Sequence, residues 1–168
     1  SDYLQATKGH GHGDYRLIVL APSSVQEAVD LMTLAFELAE QYRNPVMVCA
    51  DGMIGQMMEP VEFPGEGRGE PLKDNNWALT GRKGRPRRIV NSLFLSPETL
   101  HQHNVHLKAK YDEIEQREQR WELYNANEPY DLLLVAFGTM ARICKTAIDE
   151  VKKEGLRVAL FRPITLNP

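Results

Sequence analysis

An amphipathic segment between two short apolar runs constrains the fold of this 168-residue chain more than any other feature. The runs "LIVLAP", from Leu17, and "PVMVCADG", from Pro45, have the length and composition of buried strands. Between them a helix is predicted from about Val25 to Tyr42, with Ser23 or Ser24 as its cap and Glu27 three residues after Ser24, as in a capping box. Its predicted core face comprises Val25, Ala28, Val29, Met32, Ala35, Phe36 and Ala39. Strand, helix and strand in this order indicate a parallel crossover.

The same pattern returns near the C-terminus. "YDLLLVAFGT" predicts a strand, "MARICKTAIDEVKKEG" a helix that Gly155 ends in a left-handed conformation, and "LRVALFRPIT" another strand. Two such units predict the α/β class. Ligands of parallel sheets bind beyond the carboxyl ends of the strands, which here are residues 21–24, 51–53 and 138–140.

The segment between the two units has a different composition. Residues 60–92 are rich in Pro, Gly and charge, which predicts a long loop crossing between domains. From Pro97 onward a long helix is predicted, with Ser96 as its cap. Its apolar stripe is narrow, which favours a helix lying across another surface: Leu100, Leu107, Tyr111, Ile114 and Trp121.

Charge and hydropathy exclude several classes of partner. With 20 Lys and Arg against 23 Asp and Glu the net charge is −3, so no overall basic field attracts nucleic acid or an anionic membrane. No apolar run reaches the roughly 18 residues of a membrane span, and no signal pattern opens the chain. We therefore expect a cytoplasmic protein that binds neither membrane nor nucleic acid.

A basic cluster in the loop is the strongest local candidate for phosphate binding. It contains Arg82, Lys83, Arg85, Arg87 and Arg88. Guanidinium groups match phosphate geometry, but no aromatic residues interleave with them as in nucleic-acid sites. An acidic protein surface explains the cluster equally well.

The histidines do not define a metal site. His10 and His12 lie close to Asp14, but zinc sites need three or four protein ligands. His101, His103 and His106 favour a solvated helix face. No nucleophile elbow, Walker loop or dinucleotide fingerprint is present in the sequence. The residues alone therefore predict two α/β pieces and a crossing segment, without a reaction or a resident metal.

Several motifs in the same order carry a family resemblance over essentially the whole chain. They are "SDYLQATKGHGHGDY", "LAPSSVQEA", "DGMIGQMMEPVEF", "VAFGTMARICKTA" and "FRPITLNP". The chain resembles the alpha subunit of the 2-oxoacid:ferredoxin oxidoreductases, most closely the branched-chain, or 2-oxoisovalerate, type.

The resemblance implies an enzyme that uses thiamine diphosphate to decarboxylate a 2-oxoacid. Electrons would pass through iron-sulfur clusters on other subunits to ferredoxin, and the acyl group would pass to coenzyme A. The cofactor and its Mg²⁺ would lie between the alpha part and a diphosphate-binding domain on a partner subunit. Ala50 replaces the first glycine of a Gly-Asp-Gly diphosphate motif, which agrees with this division.

By the same resemblance the chain holds parts of two domains. Residues 1–63 would be the second half of a pyrimidine-binding-like domain, and 129–168 the first βαβ unit of a transketolase C-terminal-like domain. Residues 64–128 would be the connecting loop and long helix. The pyrimidine-contacting glutamate of the family would precede Ser1, so no catalytic residue is assigned, and the isolated chain is expected to be inactive.

Seven residues are our candidates for the cofactor cleft: His12, Gly13, Asp14, Ser23, Ser24, Asp51 and Gly52. His12 and Asp14 match the "GHGD" of the family, whereas His10 stands where glycine is more usual. The glycines of "KGHGHGDY" would permit close backbone approach to a cofactor. A structural loop, in which Asp14 only satisfies backbone amides, explains the same residues.

Two other functions agree with the sequence. The chain could be a fragment of another thiamine-dependent enzyme of the transketolase or 1-deoxyxylulose-phosphate synthase kind. Alternatively it could be a non-catalytic assembly module in which residues 60–125 dock on partner subunits. Coenzyme-A-dependent ferredoxin reduction with 2-oxoisovalerate would distinguish an oxidoreductase subunit from both.

Overall fold

The computed structural model describes residues 2–9, 16–63 and 75–168. The chain divides into two compact units, one formed by Ser1–Glu62 with Tyr111–Pro168 and the other by Phe63–Lys110. The helices are α1 (Asp2–Leu4), a π-helical turn (Gln5–Gly9), α2 (Val25–Tyr42), α3 (Pro97–Arg117) and α4 (Gly138–Lys153). The strands are β1 (Ile18–Leu20), β2 (Val46–Val48), β3 (Trp121–Tyr124), β4 (Leu132–Val135), β5 (Val158–Pro163) and β6 (Thr165–Asn167). The three-part domain division remains a prediction.

The first sheet has the order β2-β1-β6. β1 and β2 are parallel, which confirms the predicted crossover, and β6 is antiparallel to β1. All three residues of β1 are buried because it is the central strand. The prediction that β2 is also a buried strand is wrong: within the described residues it pairs only with β1, and Met47 is exposed.

The second sheet has the order β3-β5-β4, with β4 parallel and β3 antiparallel to β5. α4 packs on one face of it, where Ala141 and Ile148 join the core with Val158 and Leu160. Gly155 has a φ of 84° just after α4 and so confirms the predicted left-handed end. Both predicted strand–helix–strand units are therefore present, and the α/β class is confirmed.

The helix α2 has the predicted bounds but a different buried face. Its buried residues are Leu31, Ala35, Leu38 and Tyr42. They pack on Ile18 and Leu20 of β1. Of the predicted core face only Ala35 is buried, whereas Met32 and Phe36 are 48% and 68% exposed. The prediction was wrong because α2 is apolar on two faces, and the sequence does not show which of them contacts β1.

The helix α3 ends at Arg117, before the predicted stripe reaches Trp121. Trp121 lies instead in β3, opposite Pro163 of β5. The helix cannot continue because the next backbone groups bond elsewhere: the carbonyl of Arg120 accepts from the amides of Ile164 and Thr165. Of the predicted stripe only Ile114 is buried.

A buried hydrogen bond follows the end of α3. Tyr42 donates its hydroxyl to Glu118 at 2.5 Å, and Arg120 lies 2.7 Å from the same carboxylate. Burial, and then the hydrogen bond to Glu118, raise the pKa of Tyr42 to about 12. The tyrosine is therefore a neutral donor at every pH at which the protein would be studied.

The second unit contains the first turns of α3 and, in the described residues 75–95, turns and irregular backbone. Arg88 donates to the carbonyls of Asn75 and Ala78 at 3.2 and 2.5 Å. Phe94 stacks on His103 with ring centroids 4.3 Å apart. No helix within the described ranges is long and apolar enough to cross a bilayer.

Candidate functional site

Asp51 connects the end of the first strand–helix–strand unit to the beginning of α4. One carboxylate oxygen accepts from the backbone N–H of Thr139 at 2.8 Å, and the other accepts from the Thr139 hydroxyl at 2.7 Å. The amide of Ile54 also donates to Asp51, at 3.0 Å. Asp51 therefore satisfies an otherwise unpaired amide of the α4 N-terminus, where a negative charge is also stabilised by the helix dipole.

These hydrogen bonds determine the protonation of Asp51. Burial on its own would raise the pKa, but the hydrogen bonds from Thr139 and Ile54 outweigh it and hold the pKa below the usual range. Asp51 is thus an exposed, ionised carboxylate at the end of a strand.

Gly138 lies against Asp51 at the first position of α4. Its φ is 60°, and a Cβ added there would lie 2.9 Å from a carboxylate oxygen of Asp51 and 3.9 Å from the carbonyl oxygen of Pro22. Pro22, Asp51 and Gly138 belong to the three strand ends that the sequence indicated for ligand binding. The fold brings these three ends together at one place.

Ser23 and Ser24, at the first of these ends, are engaged with α2. The amide of Glu27 donates to Ser24 Oγ at 3.1 Å, so Ser24, and not Ser23, is the N-cap of the two residues predicted. The carboxylate of Glu27 accepts from the amide and hydroxyl of Ser23, at 2.7 and 3.0 Å. The Glu27 side chain thus bonds the residue before the cap rather than the cap itself.

Arg162, in β5 of the second sheet, forms ion pairs with the carboxylates at this corner. Its guanidinium donates to both oxygens of Glu27, at 2.7 and 2.5 Å, and also to the hydroxyl of Ser23. Its Nε lies 2.9 Å from Glu122 of β3, which in turn accepts from Lys145 at 2.5 Å. Arg162 is only 3% exposed, so its charge depends on these carboxylates.

The pKa values of Glu27 and Arg162 are shifted in opposite directions. For Glu27, burial would raise the pKa, but the hydrogen bonds from Arg162 and Ser23 outweigh it and lower the pKa. For Arg162, the hydrogen bond to Glu27 raises the pKa in spite of burial. Both groups therefore remain charged at neutral pH.

Glu59 supplies a second connection between α2 and α4. One oxygen accepts from the amide of Val25 at 3.1 Å, in the first turn of α2, and the other lies 2.8 Å from Arg142 of α4. The hydrogen bonds from Val25 and Arg142 lower the pKa of Glu59. Glu59 belongs to the "DGMIGQMMEPVEF" segment, so one residue of that motif links α2 to α4.

Four charged residues of this region were not predicted from the sequence: Glu59, Glu122, Arg142 and Arg162. One signal was available: an arginine inside the buried run "VALFRPIT" requires an acidic partner, because an unpaired charge is rarely buried. The identity of that partner depends on contacts distant in sequence.

Of the other candidates, Gly52 directly follows Asp51 and so lies at the same corner. His12, Gly13 and Asp14 lie outside the described residues. A Cβ added at Gly52 would meet nothing within 4 Å. That the seven candidate residues contact a cofactor remains a prediction.

The donor set of the described residues does not fit a Mg²⁺-diphosphate site. No group of three or more His, Cys, Asp or Glu side chains among them could hold a metal ion. Asp51 already accepts hydrogen bonds from Thr139 and Ile54, and the serine hydroxyls are engaged with Glu27.

The chain belongs to the pyruvate flavodoxin/ferredoxin oxidoreductase family, whose thiamine diphosphate-binding domain matches residues 1–123. It is 46% identical, over all of its length, to the ketoisovalerate oxidoreductase subunit VorB of Methanothermobacter marburgensis, of which it covers 47%. It is 30% identical over 99% of its length to the 2-oxoglutarate synthase subunit KorA of Methanocaldococcus jannaschii, of which it covers 51%. The chain thus spans about half the length of the curated relatives it matches.

A solved structure supports the fold. The 2-oxoglutarate:ferredoxin oxidoreductase from Magnetococcus marinus, with 2-oxoglutarate, coenzyme A and succinyl-CoA bound, matches with a TM-score of 0.71 at 20% identity. The match covers 98% of this chain and 33% of that one. Both strand–helix–strand units are therefore included in the shared fold.

Replacing Asp51 with Ala is expected to lower the free energy of unfolding by about 1–2 kcal/mol at pH 7, because α4 loses its cap. The pKa of Asp51 is lowered by folding, so its stabilisation is fully present above the unfolded value of about 3.9 and is lost as the pH falls through the folded value. Urea denaturation of both proteins between pH 7 and pH 3 would show a difference that narrows toward the acid end. A difference independent of pH would contradict the role of the carboxylate charge.

Proposed function

We propose that this chain forms one wall of the thiamine diphosphate cleft of a 2-oxoacid:ferredoxin oxidoreductase acting on branched-chain substrates such as 2-oxoisovalerate. The supporting observation is the 46% identity to a ketoisovalerate oxidoreductase subunit over the whole chain. The 2-oxoglutarate synthase subunit that aligns over nearly the same length is only 30% identical. We assign Mg²⁺ and the cofactor diphosphate to a partner subunit.

The contribution of this chain is to position the cleft wall. Asp51 fixes the N-terminus of α4 next to Pro22, and Glu59 fixes α2 to α4 through Arg142. Catalytic sites require such rigid support, because small displacements of a bound substrate reduce the rate strongly. His12, Gly13, Asp14, Ser23, Ser24, Asp51 and Gly52 remain our candidates for contacts with the cofactor. The complex would be cytoplasmic, with iron-sulfur clusters on other subunits, ferredoxin as electron acceptor and coenzyme A as acyl acceptor.

The test is an assay of the complete reading frame expressed together with its partner subunits. Coenzyme-A-dependent ferredoxin reduction is expected with 2-oxoisovalerate, with kcat/KM about tenfold or more above the values for pyruvate and 2-oxoglutarate. A pocket that fits a branched side chain discriminates by the apolar area that each substrate buries. A preference for 2-oxoglutarate would overturn the substrate class.

The assembly-module alternative is favoured by one observation, the open packing of the second unit. None of its described residues is buried, as expected of a segment that packs on another chain. Binding to the partner subunits with no turnover of any 2-oxoacid in the same assay would decide for that alternative.

A further inference from the structure

The loop between β1 and α2, residues 21–24, is tied to the second sheet by Arg162. One terminal nitrogen of the guanidinium donates to Glu27 at 2.7 Å and also to the hydroxyl of Ser23, and the other donates to the second oxygen of Glu27 at 2.5 Å. The Glu27 carboxylate in turn accepts from the amide and the hydroxyl of Ser23, at 2.7 and 3.0 Å. Arg162, Glu27 and Ser23 therefore form one connected network across the two sheets.

The stability of the fold does not require an ion pair at this place. Arg162 is 3% exposed, and Ala159 and Leu160 of the same strand are completely buried. A buried ion pair adds little stability compared with well-packed apolar residues of similar volume, because both charges lose their hydration. Apolar residues, however, cannot accept the amide and hydroxyl of Ser23. The planar guanidinium binds both oxygens of Glu27 and so fixes the direction of this acceptor. The pair therefore determines the orientation of the β1–α2 loop.

The β1–α2 loop lies where parallel sheets bind ligands, beyond the carboxyl end of a strand. It also approaches the start of α4, since a Cβ added at Gly138 would lie 3.9 Å from the carbonyl oxygen of Pro22. The backbone amide of Glu27 donates to Ser24 Oγ at 3.1 Å. Within the described ranges, no acceptor takes the hydroxyl proton of Ser24. Ser24 thus keeps one donor at this end of the sheet, in a position that depends on Glu27.

We propose that Arg162 is a positioning residue of the complete enzyme, which fixes the β1–α2 loop through Glu27 and directs the Ser24 hydroxyl to an oxygen of the bound 2-oxoacid. This role rests on the proposed function, because it assigns the loop to the cleft in which the 2-oxoacid reacts. Arg162 itself is buried among protein groups and does not touch the substrate. Its loss lowers the rate of the bound complex more than the affinity, because misplaced groups around a reacting substrate raise the barrier strongly.

The test uses the complete reading frame expressed together with its partner subunits. Thiamine diphosphate with Mg²⁺, titrated by isothermal titration calorimetry, counts the competent sites in each preparation. The kcat of ferredoxin reduction with 2-oxoisovalerate is then expressed per counted site. Misfolding or loss of a subunit lowers the number of sites, whereas displacement of the loop lowers kcat at each site.

Two variants remove the orientation of the loop in different ways. Arg162→Lys keeps the cation but not the planar fork, so kcat per site should fall about tenfold while KM changes by about threefold or less. The double variant Glu27→Met, Arg162→Met removes both charges, so it should unfold at nearly the wild-type temperature while kcat per site falls as far. Ile148→Ala is the matched control: it opens a cavity in the core of the second sheet, so the unfolding temperature falls while kcat per site stays unchanged.

A double-mutant cycle tests Ser24 as the group that is positioned. Ser24→Ala alone should lower kcat per site. Arg162→Lys added to Ser24→Ala should cost about twofold or less, because the donor that Arg162 positions is already absent. Amide hydrogen exchange of Ser23 supplies a measurement without turnover: it should become faster in Arg162→Lys and remain unchanged in Ile148→Ala.

Three results would overturn the role of Arg162 while leaving the proposed function intact. They are a wild-type kcat per site in Arg162→Lys, restoration of that kcat in the double methionine variant, and full additivity of Arg162→Lys with Ser24→Ala. The second of these would show that the pair acts only through stability. A wild-type complex that binds thiamine diphosphate but reduces ferredoxin with no 2-oxoacid would overturn the proposed function and this role together.

Discussion

Replacing Arg162 with Met is expected to lower the free energy of unfolding by about 3–5 kcal/mol, because a buried ion pair is broken from one side. The guanidinium is almost fully buried and bonds both oxygens of Glu27. Met fills a similar volume but leaves Glu27 without a cation and Glu122 with Lys145 alone. Urea denaturation at pH 7, followed by circular dichroism, measures the loss.

Two companion variants separate the buried pair from a general effect of removing a cation. Lys153→Met removes an exposed ion pair with Glu150 and should cost about 0.5 kcal/mol or less. Adding Glu27→Gln to Arg162→Met should recover part of the loss, since one unpaired charge disappears. The cost of Arg162→Met should also fall in acid, where the two carboxylates can be protonated. An Arg162→Met loss no larger than that of Lys153→Met would contradict the importance of this pair.

The sequence was sufficient for those parts of the fold that depend on local pattern. Ser24, Glu27 and the following periodicity predicted the bounds of α2 correctly. Gly155 correctly predicted the left-handed end of α4. These features succeed because capping and turn conformations involve residues only a few positions apart.

Features that depend on distant contacts could not be predicted. Trp121 continued the periodicity of α3, yet its segment pairs with β5 because the sheet offers a partner that the sequence does not show. In the same way, Met32 and Leu31 are equally apolar, and only the position of β1 decides which of them is buried. Periodicity gives the number of apolar faces but does not select among them.

The residues of the candidate site were also predicted where they depend on local pattern, and missed where they depend on distant contacts. The rule for parallel strands indicated Asp51 and Gly138 separately, because each follows a strand. Their direct contact, and the bond from Asp51 to a residue 88 positions away, required the fold. The arginine in the run "VALFRPIT" indicated a buried ion pair, but its partner Glu27 and the pair of Glu59 with Arg142 leave no spacing pattern, because they join distant segments.

Replacing Gly138 with Ala is expected to lower the free energy of unfolding by about 2–3 kcal/mol. Its φ of 60° is unfavourable for any residue with a Cβ, at a cost of about 1–2 kcal/mol. The new Cβ would also lie 2.9 Å from a carboxylate oxygen of Asp51, so that Asp51 must move away from the amide of Thr139. The cap of α4 is then weakened, which adds about 1 kcal/mol.

Gly155→Ala is the matched control, because its φ of 84° is also left-handed but a Cβ there would meet nothing within 4 Å. It should cost only the backbone part, about 1–2 kcal/mol, when both variants are measured by urea denaturation. In a background of Asp51→Ala, Gly138→Ala should become less costly, since the clashing oxygens are gone, while Gly155→Ala should cost the same as before. Equal losses for the two glycine variants in both backgrounds would show that Asp51 and Gly138 are not coupled. Coupling between them would establish that the contact of Asp51 with Gly138 helps to hold the two strand–helix–strand units together, beside the Glu59–Arg142 and Glu27–Arg162 ion pairs.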